Sequence, residues 1–219
     1  ETHGFFTYGT TTHVPLILSH PLGTTPGKHL TQVVQSIDLV PTIMARLGFA
    51  IPPELEGKPL SSADPRTVFS EAIIPKEDFY LAPVHSLKDQ DFSFYYSSDL
   101  ELYDLKADPQ EKHNLAESQP ERAARYLDRI QLLLDKAATN SQRVSVDQAT
   151  IEMLRSLGYV ADGGVADGLI GDPYQLPSPL KSVRMYRQLQ ALRHFEDVYP
   201  FKMIEGLLEL SAAHPRQII

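Results

Sequence analysis

The sequence predicts an α/β fold that ends in a helical appendage. Three observations carry this. Short β-prone runs and stretches of helical period both occur within the first 138 residues. A Gly- and Pro-rich stretch follows, with Gly163, Gly164, Gly168, Gly171, Pro173, Pro177 and Pro179. Two further helical patterns then close the chain. The boundaries read as a main body over 1–138, a short helix and linker over 139–180, and a helical hairpin over 181–219.

Residues 1–13 form a loop of Thr, Gly and aromatic residues. The apolar run Val14-Pro15-Leu16-Ile17-Leu18 reads as a buried strand, with Pro15 near its start, where a missing N–H does least harm. A loop rich in Pro and Gly spans 20–29. A helix follows, with Asp38 as N-cap, Pro41 in the first turn and Gly48 at the C′ position. Leu39, Val40, Ile43, Met44 and Leu47 make its apolar stripe. Val68 to Ala72 reads as a strand, and so do Phe92 to Tyr96 and Leu100 to Leu105, joined through Ser97, Ser98 and Asp99. Ser118 and Glu121 have the spacing of a capping box, with Pro120 in the first turn. The helix they open carries Ala123, Tyr126, Leu127, Ile130, Leu133, Leu134 and Ala137 at spacings of three and four. A shorter helix covers 150–157. The last two helices cover roughly 181–195 and 202–213 by the same period. Together they read as one helical-repeat unit, which resembles a TPR-like repeat and buries its face only against neighbours.

Composition narrows the partners. The formal net charge of −8 argues against nucleic acid, since phosphate binding needs a basic surface. A small anionic substrate needs only a few local donors. With no cysteine, the chain holds no disulfide, thiolate metal site or cysteine nucleophile. No apolar run reaches the length of a membrane span. The chain opens on Glu1 in mid-motif and ends at Ile219 without a terminal cap, so both ends read as cuts in a longer protein.

Five local patterns occur in order. The first is Glu1-Thr2-His3-Gly4-Phe5-Phe6-x-Tyr8, closing on Val14-Pro15-Leu16-Ile17. The second is Ser36-Ile37-Asp38-Leu39-Val40-Pro41-Thr42, ending in Leu47-Gly48. The third is Leu55-x-Gly57-Lys58-Pro59-Leu60. The fourth runs Glu101-Leu102-Tyr103-Asp104-Leu105-x-x-Asp108-Pro109-x-Glu111-x-x-Asn114-Leu115-Ala116. The fifth is Leu154-x-x-Leu157-Gly158-Tyr159-Val160. In this series the chain resembles the C-terminal portion of bacterial sulfatases of the alkaline-phosphatase-like superfamily, over about residues 1–160. The fourth pattern is the longest and most specific.

The resemblance implies a mechanism and a place for each part. Sulfatases attack sulfur with a hydrated formylglycine made from Cys or Ser, while a divalent cation, usually calcium, neutralises the sulfate oxygens. Both are expected upstream, as is the acidic metal loop that should end just before Glu1. No metal ligand is therefore assigned within the chain. His3 matches the place of a Lys or His that contacts sulfate, or serves the leaving oxygen as general acid. Thr2 would line the pocket beside it. The expected substrate is a small sulfate ester, the expected location periplasmic or otherwise extracytoplasmic, and the helical repeats offer a surface for a protein partner. The isolated chain is expected to be inactive. The alternatives are a phosphodiesterase or phosphonate monoester hydrolase of the same superfamily, and a non-catalytic interaction module carrying helical repeats.

Several tempting clusters read as structural. Ser118-Gln119-Pro120-Glu121-Arg122 matches the bare Ser-x-Pro-x-Arg nucleophile pattern, but helix-start chemistry explains it. Asp104, Asp108 and Glu111 lack the glycine and further oxygen donors of a calcium loop and read as turn residues. Lys112-His113 reads as a solvated turn, His13 and His20 as surface residues, and Phe92, Phe94, Tyr95 and Tyr96 as strand packing. Ser93 stands where relatives often carry a surface-facing lysine.

Overall fold

The computed structural model describes residues 4–19, 27, 29–140, 153, 172–183, 187–188, 208–209 and 212. Four strands make one antiparallel sheet in sequence order: β1 (Val68–Ala72), β2 (Val84–Lys88), β3 (Phe92–Tyr96) and β4 (Leu100–Asp104). The helices are α1 (Gly9–Thr12), α2 (Leu39–Leu47), α3 (Ile74–Phe79) and α4 (Pro120–Asn140). A 3-10 turn, Ser36–Asp38, leads into α2. The described part is thus a small antiparallel sheet with helices around it.

The sheet is covered on both faces, which is why its alternation is imperfect in sequence. One face carries Leu87, Phe94 and Leu102, and α4 lays Ala123, Tyr126 and Ile130 onto them. Phe94 stacks on Tyr126, and the Tyr126 hydroxyl donates to Asp89 in the β2–β3 turn. The other face carries Ser86, Ser93, Tyr95, Glu101 and Tyr103, all buried. The residues between β1 and β2, and the loop over 4–13, close that side. Two clusters mark the closure: Phe5, Phe79 and Leu81, then Ala72, Val84, Tyr95 and Tyr103 with Phe6 and Tyr8 against them.

Among the described residues β4 pairs only with β3 and leaves an edge. Asn114 covers it. Its Oδ1 accepts from the Leu102 N–H at 3.0 Å and from the Ala116 N–H at 2.9 Å, while Nδ2 donates to the Leu100 carbonyl. The Glu-Leu-Tyr-Asp-Leu to Asn-Leu-Ala pattern is therefore a strand followed by the device that satisfies its free edge.

Four sequence expectations need correction. Val14 to Leu18 is not a strand: it runs irregular and exposed, with Ile17 at 88%. A strand exists only through pairing, and the four sheet strands pair among themselves. The α2 stripe has the expected period and Gly48 caps the helix at φ +74, but Val40, Ile43 and Leu47 are more than half exposed. The buried face is instead Asp38, Pro41 and Thr42. Asp38 does stand at the N-cap of α2, but its carboxylate makes no cap to that helix and instead accepts from the Gln35 N–H and pairs with Arg66. The Ser118 capping box does not form either. α4 starts at Pro120, and the Ser118 hydroxyl donates to the Leu115 carbonyl at 3.2 Å.

Strand β2 and helix α3 carry no clear signal in the sequence. Val-His-Ser-Leu-Lys is half polar, yet four of its five residues are buried. The second and third patterns meet in space. A Cβ at Gly57 would lie 2.0 Å from the Ile37 carbonyl oxygen, so only glycine permits the approach.

Residues 172–183, much of them within the expected linker, pack on the sheet. The Ala82 N–H donates to the Pro177 carbonyl at 2.9 Å, Tyr174 stacks on Tyr96 with centroids 4.1 Å apart, and Lys181 pairs with Asp99 at 2.8 Å. The Tyr174 hydroxyl lies 3.1 Å from Nδ1 of buried His85, whose Nε2 is 3.7 Å from half-exposed Glu71. The 150–157 helix, apart from Met153, and nearly all of the 181–219 hairpin lie outside the described residues.

Burial pushes His85 down from 6.5 to about 4. The unfolded chain then binds the extra proton first, so the stabilisation is whole above pH 6.5 and is lost as pH falls towards 4. The loss is at most about 3 kcal/mol. Urea unfolding at pH 7 and at pH 4.5 checks this. Wild type should lose more stability between the two than His85→Leu does, and equal losses would refute it.

Candidate functional site

The loop over 4–13 leaves the predicted anion-contact residues and crosses the polar face of the sheet. Its start is pinned at two consecutive residues. Gly4 has φ +86, and a Cβ there would lie 2.6 Å from Cδ1 of Ile74. The left-handed φ is what favours glycine here, since the Ile74 methyl is the far end of a side chain that can swing aside. Phe5 is buried against Phe79, with ring centroids 5.8 Å apart in an edge-to-face arrangement.

The loop then hydrogen-bonds to itself. The Thr11 hydroxyl donates to the Phe6 and Tyr8 carbonyls, and the Thr12 hydroxyl to the Thr7 and Tyr8 carbonyls. These bonds run from hydroxyls within α1 back to the carbonyls that precede it. The Tyr8 ring lies 4.6 Å from that of Tyr95 on the sheet.

Two carboxylates receive this loop. Glu101 accepts from the Tyr8 hydroxyl at 2.9 Å on each oxygen, and from Tyr103 at 2.5 Å. Glu111 accepts from Ser93 at 2.7 Å, from Tyr95 at 2.6 Å and from the Gly9 N–H at 3.1 Å. Burial pushes the Glu101 carboxyl above the usual carboxylate range, against the pull of the Tyr103 and Tyr8 hydrogen bonds. Burial also pushes the Tyr8, Tyr95 and Tyr103 phenols up, so all three stay protonated donors near neutral pH.

The sequence-predicted site residues fare as follows. His3 and Thr2 lie outside the described residues, as do Glu1 and His20. The described structure begins at Gly4, one residue after His3. Asp104 and Asp108 are turn residues as expected: Asp104 accepts from the Lys106 and Ala107 N–H groups, Asp108 from those of Lys112 and His113. The His113 N–H holds the Asp108 carboxyl below its ordinary range. Glu111 departs from the turn reading. It has φ +55, which aims its side chain inward at Ser93, Tyr95 and Gly9. Ser93 is itself fully buried, so position 93 does not face solvent here. Arg122 lies 4.0 Å over the Phe92 ring at the start of α4, which accounts for the Ser118–Arg122 pattern as structure. Among the described residues, no three His, Asp or Glu side chains converge to hold a metal ion.

Sequence reasoning missed the pairing of Glu101 and Glu111 with the loop. Their place on the inward side of a strand, or in a left-handed turn, has no local signature.

No protein-family profile matches the chain. Over 146 residues it is 27% identical to arylsulfatase K of Xenopus laevis, covering 58% of this chain and 27% of that protein. Over 131 residues it is 29% identical to the N-acetylglucosamine-6-O-sulfatase of Bacteroides thetaiotaomicron, covering 52% and 24%. The likeness is to sulfatases. The sulfatase-like stretch spans about a quarter of the length of the curated relatives it matches. Among solved structures, one protein in complex with its substrate D-glucosamine-2-N,6-O-disulfate aligns at TM-score 0.37 and 18% identity, over 48% of this chain and 24% of that one. A 2-O GAG sulfatase aligns at TM-score 0.34 and 24% identity, over 61% and 32%.

Proposed function

We propose that this chain is the C-terminal portion of a sulfatase that hydrolyses sulfate monoesters. The observation that carries the reading is its sequence likeness to two curated sulfatases over more than half its length. The exposed apolar residues of α2 also support it. Val40, Ile43 and Leu47, with Phe49 just beyond the Gly48 cap, are exposed, which suits packing against the rest of an alkaline-phosphatase-like sheet.

The reaction calls for a formylglycine nucleophile and a divalent cation, expected to be calcium. Together they supply the attack on sulfur and neutralise the sulfate oxygens. The described residues do not fit the cation, since no ligand set converges among them. The chain has no cysteine, and its one Ser-x-Pro-x-Arg match starts a helix. The reading therefore assigns nucleophile and cation to polypeptide beyond these 219 residues.

This chain's own contribution is His3, with Thr2 beside it. A histidine at the pocket either donates to a sulfate oxygen or gives its proton to the leaving oxygen. The reading carries with it an extracytoplasmic location. No helix among the described residues is long and apolar enough to cross a membrane.

The test is sulfate release from an aryl sulfate and from N-acetylglucosamine 6-sulfate, substrates suggested by the relatives' names. The purified 219-residue chain should release none, and the longer protein that carries it should release sulfate. His3→Ala in that protein should lower kcat about a hundredfold. Activity on a phosphodiester but not on sulfate esters would move the reading to the phosphodiesterase alternative. No activity, with a partner bound through the helical repeats, would favour an interaction module.

A further inference from the structure

We propose that Glu101 and Glu111 are positioning residues that fasten the 7–13 loop to the sheet and thereby fix the path of the chain out of His3. The role of His3 rests on the sulfatase reading; the fastening does not.

The geometry separates two kinds of contact. Phe5, Phe6 and the Tyr8 ring hold the loop down by apolar burial, which resists removal but specifies little about direction. The polar contacts specify direction. The loop makes its own hook through the Thr11 and Thr12 hydroxyls. That hook meets the sheet at adjacent residues: Tyr8 through its hydroxyl to Glu101, Gly9 through its N–H to Glu111. Each acceptor is held in turn from the sheet side, Glu101 by Tyr103 and Glu111 by Ser93 and Tyr95. The loop therefore has one register on the sheet, set by directional hydrogen bonds to two carboxyl groups.

Gly9 completes the fit. A Cβ there would lie 3.2 Å from Nζ of Lys88 and 3.5 Å from Oε2 of Glu111, so the backbone comes close enough for its N–H to reach the carboxylate. Core packing alone does not account for Glu101. No Lys or Arg pairs with it among the described residues, and a buried carboxylate without a cation is costly. Apolar residues of the same size would pack a stable sheet. What they would not supply is a fixed loop register.

Hydrogen exchange on the longer protein that carries this chain decides the fastening. In Glu101→Gln, and likewise in Glu111→Gln, amides over 7–13 should exchange about tenfold faster while those over 84–104 keep their rates. Tyr8→Phe should loosen the same amides, and Glu101→Gln added to it should add little to residue 8. Unchanged loop exchange would overturn the inference. So would loop and sheet rates rising by one factor, which is loss of global stability only. In the longer protein, Glu101→Gln should lower kcat about tenfold with KM little changed, as for a misplaced catalytic group. A loosened loop with unchanged kcat would overturn the positioning role. A wild-type protein that releases no sulfate sinks the sulfatase reading instead, and exchange then decides the fastening alone.

Discussion

Arg66→Ala should cost about 3–5 kcal/mol of stability, because it strands a carboxylate inside the protein. Asp38 is 1% exposed. It accepts from the Gln35 N–H at 3.0 Å and the Lys58 N–H at 2.8 Å, and it pairs with Nη1 of Arg66 at 2.5 Å. Arg66 extends the connection by donating Nη2 to the Pro59 carbonyl and Nη1 to the Lys58 carbonyl. One ion pair thus ties the entry to α2 to the Gly57-Lys58-Pro59 turn. Nε of Arg66 is buried without a partner among the described residues, which lowers the net worth of the pair. The cost of truncation is set by the stranded Asp38 and is not reduced. Urea unfolding of the variant measures it. Asp38→Leu combined with Arg66→Met should recover much of the loss, since the pair is then removed as a unit. A loss under about 1 kcal/mol for Arg66→Ala would place the pair among exposed bridges and contradict the buried geometry.

Phe94→Ala should cost a similar amount, about 3–5 kcal/mol, by a different route. Phe94 is fully buried at the centre of the sheet face that α4 covers, among Leu87, Leu102, Ala123, Tyr126 and Ile130. Its ring stacks on Tyr126 with centroids 5.7 Å apart. Removing it opens a cavity that strands and helix cannot collapse into, since both are held by backbone bonds. The melting temperature should fall by about 10–20 °C. Phe94→Leu, which keeps most of the volume, should lose less than half as much. Equal losses for the two variants would mean that the aromatic contact with Tyr126, not the volume, carries the stability.

Local order was legible where chemistry and structure coincide within a few residues. Gly48 ends α2 because only a left-handed residue continues the chain there, and the preceding period showed where the helix lay. The apolar spacing from Ala123 to Leu134 placed α4, and the run Phe92 to Tyr96 placed β3. Errors arose where an outcome depends on a partner far away in sequence. Val14 to Leu18 has a strand's composition but no paired neighbour among the described residues. Asp38 has an N-cap's address, yet its carboxylate turns to Arg66, 28 residues on. Glu111 looked like turn chemistry until its left-handed backbone aimed it at Tyr95. Ser93 looked like a surface position because strand sequence does not say which face another loop covers.

By itself the sequence determined the order of the motifs, the helical and strand periods, and the likeness to sulfatases, all of which reside in short spacings along the chain. Only the tertiary structure decided that one face of the sheet is polar yet buried, and that Glu101 and Glu111 take hold of a loop 93 and 102 residues away. The physical reason is that a hydrogen bond between distant residues depends on how the backbone brings them together, and local periodicity carries no record of that.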